Sequence, residues 1–243
     1  MRKSIAVIFA LALMLIPATG GAQVRDSLLR RGECFGWSQL AAPAVLGVAG
    51  ASFLVFPQLH DKVNVPVQDY IQGLPGNAYV GVDEWIQYLP MTAYLGLGFA
   101  ARCDHGFVER SLITATSFVA MASMVEGAKL ITRELRPDGS DYNSFPSGHA
   151  ARAFMGAELM RREYGPLWGA GAYAVATGTA FLRIWNDRHW TGDVLAGATA
   201  GILGAEIGYW LMPLERRILG LEGKKAAVAV MPSPWGVSLA CQF

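Results

Sequence analysis

Charge is what this sequence has least of. Of its 243 residues, 16% are Asp, Glu, Lys or Arg, against about a quarter in an average soluble domain. Lys and Arg number 20 and Asp and Glu 19, for a net charge of +1. Such a chain offers no basic field along which a nucleic acid could lie, so nucleic acid is excluded as a partner. Cysteine is scarce as well. Cys34, Cys103 and Cys241 are odd in number and far apart, without a CxxC pair or metal-ligand spacing, so neither a disulfide framework nor a zinc site is expected. Internal repeats, low-complexity tracts and strand-like alternation long enough to build a sheet are also missing, and no feature calls for an obligate protein partner.

What is present is apolar. Hydrophobic residues make up 53% of the chain and the mean hydropathy is +0.31. That balance points to a lipid-facing helical bundle over a soluble one. At the amino end, Arg2 and Lys3, the apolar run Ile5 to Ile16, Pro17 and Gly20 to Ala22 have the three parts of a secretory signal over residues 1–22. The run is shorter than the roughly 20 residues a spanning helix needs. An uncleaved anchor is the alternative, and either implies export to a bacterial envelope. A polar segment follows over 23–38.

Residues 39–213 read as one all-α domain of six long helices. These are Leu40 to Phe56, Asp83 to Ala101 with a kink at Pro90, Ser111 to about Ile131, Ser147 to Gly165, Leu167 to Leu182, and Thr191 to Met212. Val63, Val67, Tyr70, Ile71 and Leu74 add an amphipathic helix, lying on a membrane surface or packed on the core edge. Small residues recur at four-residue intervals: Gly47 and Ala51; Ala170, Ala174 and Gly178; Ala196, Ala200, Gly204 and Gly208. Such stripes let helix backbones approach closely. The tail 214–243 is basic first (Arg216, Arg217, Lys224, Lys225), then apolar, and no role is assigned to it.

Three short blocks carry the chemistry. Lys129 to Pro137 contributes Lys129 and Arg136, seven residues apart and able to share a helix face if the helix runs that far. Taken alone they also suit a basic rim at a membrane interface. In the second block, Pro146, Ser147, Gly148 and His149 place small residues where a loop becomes a helix. There backbone amides and the helix dipole favour an anion, although an ordinary capped helix start has the same look. The third block runs from Arg183 to Asp193. His189 and Asp193 are four apart, so a helix would set the carboxylate beside the imidazole, fix its tautomer and free the other nitrogen for attack. A structural hydrogen bond is the plain alternative. Together the blocks supply cations for phosphate oxygens and two of the chain's four histidines. His60 and His105 lack such surroundings and are expected to face solvent.

In this order and at this separation, Lys-x6-Arg-Pro, Pro-Ser-Gly-His and Arg-x5-His-x3-Asp resemble the type 2 phosphatidic acid phosphatase (PAP2) superfamily. That group also includes bacterial nonspecific acid phosphatases and vanadium haloperoxidases. The resemblance implies a six-helix membrane bundle and a metal-independent phosphatase with no cofactor. His189 would attack phosphorus to form a phosphohistidine, Asp193 would orient it, and His149 would protonate the departing alcohol. Lys129, Arg136, Ser147, Gly148 and Arg183 would hold the phosphoryl oxygens. The family often has serine where this chain has Leu182. The implied substrate is a lipid-linked phosphate: phosphatidic acid, phosphatidylglycerol phosphate, a polyprenyl diphosphate or lipid A. A nonspecific acid phosphatase or a haloperoxidase on the same site is the alternative, and a non-catalytic membrane helix bundle is the rival from another class. Arg102, Arg110, Arg161, Arg162 and the Arg216 to Lys225 cluster fall on the face opposite the catalytic loops. By the positive-inside rule this places the site on the periplasmic side of a multi-pass inner-membrane protein.

Overall fold

The computed structural model describes residues 35–99 and 103–221, and the backbone of 227–233 and 236–242. Expectations for the signal peptide (1–22), for Cys34 and for Arg102 lie outside those residues. A single 3-10 turn, Trp37–Leu40, leads into α1 (Ala41–Val55). Residues 57–72 form α2, in which a π-helical insert, His60–Asn64, separates Pro57–Leu59 from Val65–Gln72. Then come α3 (Asp83–Ile86), α4 (Leu89–Leu97), α5 (Phe107–Thr132), α6 (Gly148–Tyr164), α7 (Pro166–Trp185) and α8 (Thr191–Ile218). The helical domain is all-α, as expected. Beyond it, β1 (Ala227–Ser233) and β2 (Gly236–Gln242) pair as an antiparallel hairpin, which the sequence reading did not foresee.

Helix α8 is the hub. In its most apolar stretch 61% of residues are buried, against 11% for Trp37–Val55 and 22% for α5. Small residues on α8 let three neighbours press against its backbone. A methyl added at Gly201 would lie 2.3 Å from Ala151 O on α6, and one at Gly208 would lie 2.7 Å from Ile113 O on α5. On α1, a methyl at Gly50 would lie 2.7 Å from Ala196 N. The stripe expected on α8 thus makes close contacts. The one expected on α7 does not: Ala170, Ala174 and Gly178 are exposed, and α7 buries Gly169, Ala172, Tyr173, Ala176 and Ala180 instead. Both stripes have the same spacing, and only the partner helices decide which one is used.

Three described helical segments are long and apolar enough to cross a membrane: Trp37–Val55, α5 and α8. The expected long helix from Asp83 to Ala101 is instead two short ones. Pro90 lacks an amide hydrogen and fits the first turn of α4, while Asp83 is held in the core by a partner described below. Helix α5 starts at Phe107, four residues earlier than expected, because Glu109 Oε2 accepts the Gly106 amide at 3.0 Å and caps it. At the other end α8 runs past Pro213 to Ile218. Helix α2 packs on the core edge: Val67 and Ile71 join Ala150, Ala180, Ile184 and Val194.

The end of the bundle away from the α6 N-terminus holds a buried ionic cluster. Glu158 accepts from Arg161 Nε (2.8 Å) and from the Tyr173 hydroxyl (2.5 Å), and Arg162 Nη1 lies 3.1 Å from Glu206. Glu163 holds His105 Nδ1 at 2.8 Å. Arg110, 1% exposed, donates to Tyr94 O and the Tyr164 hydroxyl. These pairings correct two expectations. His105 is buried, not solvent-facing. Arg110, Arg161 and Arg162, counted above as loop charges that set the membrane orientation, are tied inside the bundle, and Arg216 pairs with Glu109 at 2.6 Å.

Candidate active site

The three blocks converge at the N-terminal end of α6. Lys129 sits in the last turn of α5, with Nζ 3.9 Å from where a methyl on Gly148 would be. It also pairs with Glu126 at 3.2 Å. The helix stops at Thr132 because Arg133 takes a left-handed conformation (φ 47°, ψ 44°). Arg136 therefore lies on the following loop, where Asp141 Oδ1 accepts from its Nε at 2.9 Å. The expected shared helix face for Lys129 and Arg136 is not what brings the two cations to one region; the loop is.

Ser147 caps α6, its side chain accepting from the Ala150 amide at 3.5 Å, and its own amide donates to Asp193 O at 3.0 Å. That bond ties the second block to the third. Trp190 Nε1 donates to Leu135 O at 2.9 Å and ties the third block to the first. Gly148 opens α6 and His149 follows in its first turn.

His189 lies two residues ahead of α8, not on it. Its ring is 2% exposed. Nδ1 is 2.8 Å from the Ser144 carbonyl and 3.4 Å from Asp193 Oδ2. A carbonyl can only accept, so Nδ1 carries the hydrogen and Nε2 keeps its lone pair. Burial, with the charges of Arg183 and Arg136, lowers the His189 pKa against the opposing pull of Asp193. Asp193 Oδ2 accepts from the Ser144 hydroxyl (2.5 Å) and from the Trp190 amide (2.8 Å). The carboxylate thus caps α8 and faces the imidazole at once. Ser144, which the sequence reading did not single out, sets the ring through its carbonyl and the carboxylate through its hydroxyl.

Arg183 is 3% exposed, with Nη1 2.6 Å from Asp83 Oδ2 and 3.5 Å from Glu84 Oε1. Glu84 Oε2 also bonds His149 Nε2 at 3.0 Å. Burial and then the charge of Arg183 depress the His149 pKa to about 4, while Glu84 pulls the other way. Glu134, beside Asp193, is pushed up to about 9 by burial and by that neighbouring charge. No sequence signal marked Asp83, Glu84 or Glu134, whose partners lie 59 to 100 residues away in the chain. His60, expected in solvent, stacks edge-on against Trp190 at 4.7 Å and bonds Asn64 at 3.1 Å.

Asp83, Glu84 and His149 have ligand atoms within 4.8 Å of one another, a spacing that could hold a metal ion. The donor set does not fit one. Both carboxylates already serve Arg183, and a dication there would sit beside a guanidinium. An anion beside cations and two histidines is the chemistry this end of the bundle suits.

The class these features define is a helical-bundle protein with spans of membrane length, in which cations and two histidines from three separate blocks meet at one end. Residues 109–217 match the PAP2 superfamily, a stretch that takes in nearly all of α5 and α8, the whole of α6 and α7, and all three blocks. Over 103 residues the chain is 47% identical to lipid A 1-phosphatase from Porphyromonas gingivalis, an alignment covering 41% of this chain and 23% of the relative. Over 101 residues it is 33% identical to the bacitracin transport permease protein BcrC from Bacillus licheniformis, covering 40% and 45% respectively. The chain therefore spans less than half the length of either relative. The crystal structure of Aquifex aeolicus LpxE superimposes with a TM-score of 0.47 at 20% identity, over 60% of this chain and 94% of that one.

Proposed function

We propose that the protein is a phosphoric monoester hydrolase acting on a lipid-linked phosphate, through a phosphohistidine on His189. The observation that carries this is the His189 tautomer: Nδ1–H is committed to Ser144 O, so Nε2 is left as a nucleophile within the field of Arg183 and Arg136. In the first step the Nε2 lone pair attacks phosphorus and the ester P–O bond breaks. Lys129, Arg136, Arg183, the Gly148 amide and Ser147 stabilise the charge on the phosphoryl oxygens. The negative phosphate, once bound, raises the His149 pKa from its depressed value, and the imidazolium gives its proton to the departing oxygen. In the second step His149 takes a proton from water, the water oxygen bonds to phosphorus, and the P–N bond breaks to release phosphate. Asp193 stabilises the positive ring that forms on His189.

Among lipid phosphates, the 47% identity with a lipid A 1-phosphatase over the stretch holding the three blocks favours a phosphorylated glycolipid. A periplasmic site in the inner membrane is part of the same reading, which rests on the remaining positive charges of the tail, Arg217, Lys224 and Lys225.

The test is phosphate release by purified protein from lipid A, phosphatidic acid, phosphatidylglycerol phosphate and a polyprenyl diphosphate, with His189→Ala as control. Release lost in His189→Ala, together with an acid-labile phosphoryl label on the wild-type chain, supports the reading. Equal release by both proteins refutes it.

A further inference from the structure

Glu134 stands inside the first block yet has no part in the steps above. The left-handed residue Arg133 takes the chain out of α5 just before it, and the Glu134 carbonyl accepts the Ser144 amide at 3.0 Å. Ser144 in turn serves His189 and Asp193. The Glu134 side chain, 15% exposed, lies within hydrogen-bond reach of the Asp193 carboxylate. Two acids therefore meet behind the His189 ring.

No cation settles that pair. Arg183 on α7 is taken by Asp83, and Arg136 on the same loop by Asp141. His60 on α2 has Nδ1 4.0 Å from Glu134 Oε1, too long for a hydrogen bond. The Gly192 amide donates to Asn64 Oδ1 at 3.3 Å, which leaves Asn64 Nδ2 facing His60 Nδ1 at 3.1 Å. Nδ1 therefore accepts from Asn64 and has no hydrogen to give Glu134. Glu134 Oε2 is buried with no donor among the described residues.

Two adjoining carboxyl groups in such a place cannot both ionise, so the pair holds one proton. The donors decide where it sits. Asp193 accepts from the Ser144 hydroxyl and the Trp190 amide, which hold it as the carboxylate. Burial and the charge of Asp193 both favour the proton on Glu134. A carboxylate has lone pairs enough for a third donor, and the Glu134 hydroxyl is the one at hand.

We propose that Glu134 is a neutral acid that donates its proton to Asp193 and so positions the carboxylate that braces His189. It acts through Asp193 and is a positioning residue. The inference rests on the phosphatase reading and adds a third member to His189 and Asp193. The proton it keeps leaves one negative charge behind the nucleophile, where a second would repel the incoming phosphate.

The test follows kcat and KM on nitrophenyl phosphate over about pH 6 to 10; its leaving group needs no proton, which keeps the acid role of His149 out of the profile. Glu134→Leu, with no donor, should lower kcat about tenfold with KM little changed, the size of one hydrogen bond to a charged group. Glu134→Gln, whose amide donates and does not ionise, should recover most of that loss. Wild-type activity should fall as Glu134 ionises, near pH 9, and in Glu134→Gln that fall should vanish, which a merely structural role would not bring about. Unchanged kcat in Glu134→Leu, or an alkaline fall that Glu134→Gln retains, overturns the proposal. Infrared spectroscopy reads the proton without turnover. At about pH 7, where an ordinary glutamate is ionised, the wild type should show a protonated carboxyl band that Glu134→Gln lacks, and identical spectra overturn the proposal too. If the wild type hydrolyses no phosphate ester, that band still stands as a readout. Together with a His189 Nδ1–H proton resonance that shifts in Glu134→Leu and returns in Glu134→Gln, it upholds the positioning role and rejects only the hydrolase.

Discussion

Replacing Gly197 by alanine tests whether the catalytic end depends on how closely α8 meets α6. A methyl at Gly197 would lie 2.4 Å from Ser147 O, whereas ordinary contact begins at 3.4 Å. The two helices must therefore part by about 1 Å at that point, since the opposing atom is backbone and cannot rotate away. The atom struck belongs to the cap of α6, next to Gly148 and His149, while His189 and Asp193 ride on the α8 side. A displacement of that size between reacting groups costs about 100-fold in rate. Overpacking costs about 1–3 kcal/mol of stability, a drop of roughly 2–12 °C in melting temperature for a chain of this size. Gly171→Ala is the control, because nothing lies within 4 Å of a methyl there and alanine is the better helix former by about 1 kcal/mol. The measurements are kcat on a lipid phosphate and the melting temperature, both in one detergent. A Gly197→Ala protein with wild-type kcat and an unchanged melting temperature would refute the reasoning.

Further expectations concern the site directly. His149→Ala should lose at least 100-fold on an alkyl phosphate, whose alkoxide needs a proton, and far less on nitrophenyl phosphate, whose leaving group does not; His189→Ala should lose both, and equal losses in His149→Ala would reject the acid role. Ser144→Ala removes the hydroxyl that bonds Asp193 and leaves a buried carboxylate oxygen short of a donor, a penalty of about 1–3 kcal/mol. It should lower kcat roughly 5- to 100-fold, and activity within twofold of wild type would show that Asp193 does not need that bond. Stability should rise with pH from about 4 to 6.5. His149 titrates lower in the folded chain than its ordinary 6.5, so the unfolded chain binds more protons in that window, and stability is lost as pH falls through it. Melting curves across that range, with His149→Gln flattening the slope, check the sign.

Much of the scaffold was legible because its signals are local. Ser147 before an apolar run, the Gly165-Pro166 break and the apolar length of α8 each report on a few neighbouring residues. The blocks at 129–137, 146–149 and 183–193 could be read for the same reason. The residues that complete the site could not. Asp83 and Glu84 precede the stretch that matches the PAP2 superfamily and reach Arg183 and His149 across 100 and 65 positions. The end of α5 was placed within a residue, about Ile131 against Thr132, but its left-handed cap was not foreseen, because such a cap is normally announced by glycine and here arginine stands in its place. The α7 stripe misled for the opposite reason: small residues permit close contact but do not specify a partner. His105 and the arginines of the far cluster misled because one charge looks solvated in sequence until its buried counterpart, here Glu163, Glu158 or Glu206, is known.

That cluster also constrains how the chain can be assembled in a bilayer. Helix α6 carries Glu158, Arg161, Arg162 and Glu163, and alone in hydrocarbon each would cost about 2.5 kcal/mol or more. The counter-charge for Arg162 is Glu206, on α8, which leaves the ribosome more than 40 residues later. α6 is not among the three segments long and apolar enough to span, and it gains this buried counter-charge only once α8 has been made. Docking of that last long helix completes the ion pairing of α6.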